Sequence, residues 1–203
     1  MTYTTIYIVR HGETDWNVAR RIQGHSDIPL NPVGEQQAKE LRKTFGHTSF
    51  AAVFSSDLLR AKRTAELAVL EKEIVVQTTE ILRERNFGSL EGKNVEEFFV
   101  LEKLRSSLEK EQQLQHRLVP DMENDEELIQ RIIVFLREVA VGYVGKNVLV
   151  VSHGGIMRTL LAHLGFTDED HPITKLENTA YIKLRSDGVD FFIDETKGIT
   201  KED

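Results

Sequence analysis

Cysteine is absent from this chain of 203 residues. That absence excludes disulfides, a catalytic thiolate and zinc sites with thiolate ligands. Long hydrophobic runs are also missing, because the longest, near residues 132–136 and 148–151, are too short to cross a bilayer. The first residues lack the basic and apolar regions of a signal peptide. These absences predict a cytoplasmic protein that does not bind membranes.

Positive charge is in deficit, with 26 Lys and Arg against 33 Asp and Glu and a formal net charge of −7. This balance argues against broad binding to nucleic acid or acidic membranes, although a local basic pocket is compatible with it. A chain of this length buries about 70% of the surface that its unfolded form exposes. We therefore predict one domain over residues 1–203, and the composition leaves the oligomeric state open.

Strands alternate with helices along most of the sequence. Helical periodicity separates a series of short apolar runs, which predict strands near residues 4–10, 51–54, 74–76 and 147–151. Such alternation favours a largely parallel sheet that is covered by helices on both faces. Residues 179–185 and 189–194 flank a short turn and predict a hairpin that adds an antiparallel edge. The predicted fold class is therefore α/β, a three-layer sandwich with a mostly parallel central sheet.

Three further segments carry predictions about local structure. Residues 95–118 have helical periodicity, which Pro120 interrupts. The acidic cluster at 121–127 is interpreted as the solvated start of the next helix rather than as a metal site, since helix starts favour negative charge. The last residues, 197–203, are predicted to be frayed.

The first predicted strand ends in a cation, an imidazole and a glycine, in the sequence Arg10-His11-Gly12. The run before it is apolar and β-branched, as in a strand buried on both faces. Residues after such a strand lie at its carboxyl end, where open α/β sheets bind ligands. Thr14 or Asp15 is then placed to cap a short helix, whose N–H groups favour anions. The stretch therefore predicts a phosphate site.

The same design recurs at two other predicted strands. The strand at 147–151 ends in Ser152-His153-Gly154, and the strand at 51–54 is followed by Arg60 at the start of a helix. If these strands are parallel neighbours, two imidazoles and two guanidiniums converge on one crevice. Such a cluster is costly without an anion, because like charges repel and burial disfavours charge. A phosphoryl group removes that cost, since arginine binds two phosphate oxygens at once.

Histidine is the candidate nucleophile, since the chain has no thiol and no serine in a nucleophile-elbow pattern. A neutral imidazole attacks phosphorus while arginines and a second histidine stabilise charge on the equatorial oxygens. The leaving alkoxide then needs a proton from a carboxylic acid. Glu84, in the irregular segment of residues 81–92, is our candidate for this acid, and Glu13 competes with it.

Five motifs resemble the histidine phosphatase superfamily, the phosphoglycerate mutase-like proteins, and they occur in the order of that family. The first is Arg10-His11-Gly12-Glu13-Thr14-x-Trp16-Asn17, and the last is Val151-Ser152-His153-Gly154-Gly155. Between them lie Leu30-Asn31-Pro32-x-Gly34-x-x-Gln37-Ala38, Ser55-Ser56-Asp57-Leu58-x-Arg60-Ala61-x-x-Thr64-Ala65 and Leu82-x-Glu84-x-x-Phe87-Gly88-x-x-Glu91-Gly92. Because the motifs span most of the chain, the resemblance implies the phosphoglycerate mutase-like fold.

The resemblance also implies roles for residues at the matching positions. His11 becomes transiently phosphorylated, and Glu84 acts as acid and then as base toward water. Arg10, Arg60 and His153 hold the phosphoryl group. The same pocket is lined by Asn17, Gln23, Gly24 and Gly154, and His25 is a candidate for its edge. No cofactor or metal is implied, and the histidines that match no motif are interpreted as surface or packing residues: His47, His116, His163 and His171.

Two related reactions stay open, because either water or a bound phosphoglycerate accepts the phosphoryl group from His11. The mutases that this sequence resembles carry a longer insertion with a basic clamp. Here the cations Lys103, Arg105, Lys110 and Arg117 are interleaved with glutamates and are interpreted as members of helical ion pairs. Related phosphatases often show Gly-Glu-Ser where this chain has Met122-Glu123-Asn124. We favour a phosphatase acting on a small phosphorylated metabolite.

Two alternatives from other classes also stay open. One is a metal-dependent hydrolase that uses His11, Glu13 and His153, and loss of activity with a chelator would indicate it. The other is a non-catalytic phosphate-binding protein on the same fold, which would bind phosphate without hydrolysing an aryl phosphate.

Overall fold

A central sheet organises the molecule. The computed structural model describes residues 2–167 and 172–202, and in that part of the chain the sheet has six strands. Their order is β3-β2-β4-β1-β5-β6; the first four are parallel, and β5 pairs antiparallel with both β1 and β6. The prediction of a mostly parallel sheet with an antiparallel edge is confirmed. The strands are β1 (Thr4–Arg10), β2 (Ala52–Ser56), β3 (Val76–Thr79), β4 (Asn147–Ser152), β5 (Ile173–Ser186) and β6 (Phe191–Lys201).

Helices cover both faces of the sheet. Side chains alternate between the two faces along β1. Ile6 and Ile8 pack against the helices at 125–142 and 154–163, while Tyr7 and Val9 pack against the helices at 32–44 and 59–68 on the other face. The sandwich therefore has the three layers that the sequence predicts. In chain order the helices are α1 (Asp15–Val18), α2 (Pro32–Thr44), α3 (Leu59–Ala68), α4 (Val95–Arg105), α5 (Lys110–Gln115), α6 (Asp125–Gly142) and α7 (Gly154–His163).

The central parallel strands end together at one edge of the sheet. β4 lies between β1 and β2, with Arg10 paired to Ser152 and Ser55 paired to Val151. Ser152 Oγ also donates to the carbonyl of Leu82 at 2.9 Å, which ties the irregular segment after β3 to the same edge. The residues that follow these strands therefore start from neighbouring positions.

Both edge strands differ from their predicted boundaries. β3 begins at Val76, where pairing with β2 starts, rather than at residue 74. β6 continues to Lys201, so the prediction of a frayed tail is wrong for residues 197–201, which pair with β5. The charged side chains of β6 are typical of an exposed sheet edge, and they obscure the apolar alternation of a strand. Asp203 lies outside the described residues.

The continuous helix predicted for residues 95–118 is wrong, because the segment divides into α4 and α5. Ser106 and Ser107 donate their hydroxyls to carbonyls three residues earlier, which competes with helical hydrogen bonding. The guanidinium of Arg105 donates to the carbonyl of Gln113 at 2.7 Å and holds α5 against the end of α4. Local side-chain bonds therefore end a helix that apolar periodicity alone extends.

α6 begins at the acidic cluster that predicts a helix start. Asn124 caps it, accepting from Glu127 N at 2.9 Å, while the Glu127 carboxylate accepts from Asn124 N at 3.2 Å. Asp125 is not a solvated acid, however, because it pairs with Arg85 and Arg105. At 18 residues α6 is the longest helix of the described chain, where no helix is long and apolar enough to cross a bilayer.

Candidate active site

Two histidines meet at the shared strand edge. His11 follows β1 and His153 follows β4, and their ring centroids are 5.2 Å apart. Both side chains are buried, with His11 3% exposed and His153 fully enclosed. The structure therefore brings together the two imidazoles that the sequence predicts to converge.

One ring nitrogen of His11 is committed to the backbone. Nδ1 lies 2.7 Å from the carbonyl oxygen of Gly12, which only accepts hydrogen bonds, so Nδ1 carries the proton of the neutral ring. The lone pair is then on Nε2. Burial, together with the Arg60 and Arg10 guanidiniums, holds the His11 pKa well below its usual value of 6.5. At neutral pH the ring is therefore uncharged and Nε2 is nucleophilic.

Arg10 and Arg60 bring two guanidiniums to the same place, and main-chain carbonyls hold both. Arg10 donates through Nη1 to the carbonyl of Leu176. Arg60 is fully buried and donates from Nη1 to Ser26 O at 2.8 Å and from Nη2 to Gly24 O at 2.7 Å. Burial lowers the pKa of each guanidinium to about 10, an effect that a nearby carboxylate partly offsets. Both side chains therefore stay cationic at neutral pH.

Five buried side-chain atoms of the described residues have no hydrogen-bond partner, and all belong to predicted site residues. They are Arg10 Nε, Arg60 Nε, Gln23 Oε1 and both ring nitrogens of His153. Such atoms are rare, because leaving a buried polar group without a partner costs about 1–3 kcal/mol. The two guanidinium nitrogens are obligatory donors. A ligand with negative charge and several acceptor oxygens supplies partners for the donors of this group, whereas Gln23 Oε1 is itself an acceptor and needs a donor.

Glu84 reaches the same region from the segment after β3. Its Oε1 accepts from Arg85 N at 2.8 Å and Ile156 N at 3.2 Å, and its Oε2 accepts from Gly155 N at 2.9 Å. Two of these donors belong to the first turn of α7, directly after His153. A Cβ on Gly155 would lie 2.5 Å from Oε1, so glycine makes room for the carboxylate. Glu84 is therefore held beside the histidine pair.

The competing acid, Glu13, makes a different contact. Its Oε1 accepts from Asn31 Nδ2 at 2.9 Å, and Asn31 caps α2. Its backbone N–H donates to Gln37 Oε1 at 2.9 Å on the same helix. A Cβ on Gly12 would lie 2.5 Å from Gly34 O, so the turn after β1 approaches α2 closely. Glu13 therefore fastens the first motif to α2.

The predicted lining residues make backbone and amide contacts around this cluster. Asn17 lies in the cap of α1, where its Oδ1 accepts from a backbone N–H. Gln23 is buried, and Gly24 supplies one of the two carbonyls described above, with a φ of 52° that favours glycine. A Cβ on Gly154 would lie 3.2 Å from Arg10 Nε, so the arginine passes close to the start of α7.

His25 lies on the carbonyl side of Glu84 rather than beside its carboxylate. Its ring Nε2 is 2.9 Å from Glu84 O, and Arg131 Nη2 donates to the same carbonyl at 3.2 Å. His25 lines a cleft of about 370 Å³ whose lining includes neither His11 nor His153. The other predicted surface histidines are exposed, except that His171 lies outside the described residues: His47, His116 and His163.

A metal site is the remaining arrangement that the sequence left open. Within residues 2–167 and 172–202, no group of three or more His, Cys, Asp or Glu side chains is placed to hold a metal ion. His11, Glu13 and His153 therefore do not form a ligand set.

Comparison with known proteins decides the family. The sequence profile of the histidine phosphatase superfamily, branch 1, matches residues 6–197 of this chain. The chain belongs to the histidine phosphatase superfamily.

The relatives of this chain include proteins named as phosphatases and proteins named as phosphoglycerate mutases. The chain is 35% identical over 175 residues to the uncharacterized phosphatase PhoE of Bacillus subtilis, covering 86% of this chain and 84% of that protein. It is 36% identical over 157 residues to the probable phosphoglycerate mutase GpmB of Escherichia coli, covering 73% and 69%. The crystal structure of phosphoglycerate mutase from Bacillus anthracis matches with a TM-score of 0.82 at 26% identity, covering 97% of this chain and 93% of that one. The fold is therefore phosphoglycerate mutase-like.

One supporting carboxylate of the site was not predicted from the sequence. Glu91 accepts from His25 N at 2.8 Å, from Ser26 N at 2.9 Å and from Ser26 Oγ at 2.8 Å. These bonds hold the loop whose Gly24 and Ser26 carbonyls bind Arg60. Its place in the Glu84 motif marked the residue, but spacing along the chain does not reveal contacts with a distant loop.

We expect the ligand-free protein to lose stability as the pH falls below 6.5. Burial and Arg60 lower the pKa of both His11 and His153 in the folded protein, whereas both titrate near 6.5 when unfolded. The unfolded state then binds more protons, so each histidine reduces the free energy of unfolding by up to about 1.4 kcal/mol per pH unit. Urea unfolding between pH 7 and pH 5 measures this slope. His11→Asn should flatten the slope by nearly one proton, and an unchanged slope would contradict the shifted pKa.

Proposed function

We propose that this member of the histidine phosphatase superfamily hydrolyses a small phosphomonoester through a phosphohistidine on His11. The observation that carries the proposal is the set of partnerless donors on Arg10, Arg60 and His153 around a neutral imidazole. A phosphoryl group supplies acceptor oxygens for those donors and a phosphorus atom for His11 Nε2 to attack. This arrangement favours charge stabilisation in the transition state over binding alone.

The reaction divides into two transfers. In the first, Nε2 of His11 bonds to phosphorus, the bond to the leaving oxygen breaks, and Glu84 gives that oxygen its proton. In the second, Glu84 takes a proton from water, the water oxygen bonds to phosphorus, and the bond to Nε2 breaks. Arg10, Arg60 and His153 stabilise the equatorial oxygens in both transfers. The products are an alcohol and inorganic phosphate.

The contacts of the two carboxylates support Glu84 as the acid. Glu84 lies at the start of α7 next to His153, whereas the Glu13 carboxylate is used by the cap of α2. A general acid must be within hydrogen-bond reach of the leaving oxygen, directly or through one water. Asn17, Gln23, Gly24 and Gly154 line the pocket in this proposal.

The contacts of two arginines support hydrolysis over mutase chemistry. Arg105 pairs with Glu102 and Asp125, and Arg117 pairs with Glu127. Cations already paired to carboxylates are poorly placed to clamp a second acidic group of a phosphoglycerate. A small phosphorylated metabolite without that requirement is the favoured substrate class.

A substrate panel tests the proposal directly. The purified chain is given a series of phosphorylated metabolites, and free phosphate, phosphoryl migration and acid-labile phosphohistidine are measured. Release of phosphate with labelled His11 is the expected result. Migration without release would establish a mutase instead. Activity that a chelator abolishes and one divalent metal restores would establish a metal-dependent hydrolase, and phosphate binding without any turnover would leave only a binding protein.

Glu84→Gln should slow the release of a poor leaving group far more than that of a good one. Only an alkoxide needs the proton, so we expect about a 100-fold or greater loss of first-turnover release with an alkyl phosphate. An aryl phosphate with an acidic phenol should release its phenol nearly as fast as before. Rapid-quench measurement of the first turnover separates the two. Glu13→Gln is the matched control, and equal losses on both substrates with Glu84→Gln would remove Glu84 from this role.

A further inference from the structure

An irregular part of β5 touches the nucleophile. Pairing between β5 and β6 is interrupted between Leu176 and Tyr181, and within this interval Thr179 has a φ of 59°. A β-branched residue rarely adopts this left-handed conformation. It aims the Thr179 N–H at the carbonyl of His11, at 3.3 Å. The left-handed conformation of Thr179 therefore allows its N–H to contact the main chain of His11.

Asn178, the preceding residue, donates two hydrogen bonds from its own side-chain nitrogen. Its Nδ2 donates to His11 O at 3.1 Å and to Asn17 Oδ1 at 3.3 Å. A main-chain carbonyl only accepts hydrogen bonds. His11 O therefore dictates that Asn178 presents its nitrogen, not its oxygen, on this side.

The orientation of the Asn17 amide is dictated in the same way from the opposite end. Its Oδ1 accepts from Thr14 N at 3.1 Å and from Thr14 Oγ1 at 3.0 Å, in addition to Asn178. A main-chain N–H only donates. Exchanging the oxygen and nitrogen of either amide would place like partners against each other. Two backbone groups, His11 O and Thr14 N, therefore fix the orientation of both side-chain amides through a continuous series of hydrogen bonds.

The side-chain nitrogen of Asn17 takes no part in this series of hydrogen bonds. Every hydrogen bond that the Asn17 side chain makes within the described residues ends on its oxygen. Nδ2 keeps both of its hydrogens, and Asn17 is only partly buried. A donor in that position suits an acceptor oxygen brought by a ligand.

We propose that Asn178 is a positioning residue that turns the Asn17 amide so that Nδ2 donates to the substrate phosphoryl group. This rests on the proposed function, because it assumes that the pocket binds a phosphoryl group. Asn178 acts on phosphate binding through Asn17, while the His11 carbonyl fixes the orientation of the Asn178 amide, and Asn178 does not touch the substrate itself.

A double-variant cycle tests the coupling. Affinity for inorganic phosphate is measured by calorimetry, and KM and kcat are measured with an aryl phosphate, for Asn178→Ala, Asn17→Ala and the double variant. Asn178→Ala is expected to weaken phosphate binding and raise KM by about 10-fold, the size of one hydrogen bond to a charged group. In the Asn17→Ala background it should change phosphate affinity less than twofold. Losses that multiply would overturn the proposal.

Asn178→Asp separates orientation from packing, because its side chain has the same shape. A carboxylate oxygen repels His11 O and Asn17 Oδ1, which displaces the Asn17 amide from its orientation, so we expect a larger loss of phosphate affinity than with alanine. Thr174→Asp, an exposed position on the same strand, controls for the added negative charge. Equal losses from both aspartates would assign the effect to charge and overturn the proposal.

Phosphate binding keeps this test independent of the reaction. If the wild-type chain binds phosphate but releases none from esters, the phosphatase proposal fails while the coupling of Asn178 and Asn17 is still measured. If the wild-type chain does not bind phosphate, both proposals fail. Circular dichroism and thermal unfolding of each variant distinguish lost binding from lost folding.

Discussion

His11→Ala is expected to reduce turnover by about 10,000-fold or more, because no other group replaces a covalent nucleophile. Nδ1 of His11 is tied to Gly12 O, and Nε2 is the atom left to form the phosphoenzyme. The fold should persist, since the lost ring lies beside two guanidiniums that disfavour its charged form. Phosphate binding should persist as well, through Arg10, Arg60 and His153.

Three measurements check this result. Steady-state turnover of an aryl phosphate should fall to background, acid-labile phosphohistidine should disappear, and the circular dichroism spectrum should stay unchanged. His47→Ala is the matched control, since His47 is exposed and belongs to none of the five motifs. Phosphohistidine that persists in the His11 variant would show that another histidine is the nucleophile, and His153 would be the first to examine.

Arg60→Ala is expected to damage both catalysis and stability. The guanidinium holds Gly24 O and Ser26 O and also offers Nε to a ligand. Removing a buried donor to the developing charge should lower kcat by about 1,000-fold. The two carbonyls lose their partners, which should lower the free energy of unfolding by about 2 kcal/mol even though the cost of burying the cation also disappears.

Two companion variants separate charge from geometry. Arg60→Lys keeps the charge but does not reproduce a planar fork, so it should recover stability more than activity. Arg63→Ala, on the same helix, removes an exposed cation paired with Glu35 and Glu66 and should change stability by less than about 0.5 kcal/mol. Urea unfolding and kcat with an aryl phosphate are the measurements. Activity retained by Arg60→Ala would contradict a role in binding the phosphoryl group.

The sequence predicts the positions of the candidate site residues well because they follow buried strands. Continuous apolar runs identify β1 and β4, and parallel pairing brings the ends of such strands to one edge. His11 and His153 then meet without any further information. The third strand end adds Arg60 in the same way, since β2 lies next to β4.

The contacts that hold those groups are less predictable. Arg60 is fixed by carbonyls 34 and 36 positions away in the chain, and Glu91 supports that loop from 65 and 66 positions away. Main-chain carbonyls carry no sequence signal. Thr179 is harder still, because a β-branched residue in a left-handed conformation is what local rules argue against. The division of 95–118 depends on serine bonds that periodicity does not register.

The buried donors without partners also bear on the end of the reaction cycle. Inorganic phosphate, the product of the proposed reaction, offers Arg10, Arg60 and His153 the same oxygens as the ester, and these side chains lose those partners when phosphate departs. Departure of phosphate therefore breaks several hydrogen bonds, whereas the alcohol leaves without breaking these bonds. We expect competitive product inhibition by phosphate and turnover limited by its escape.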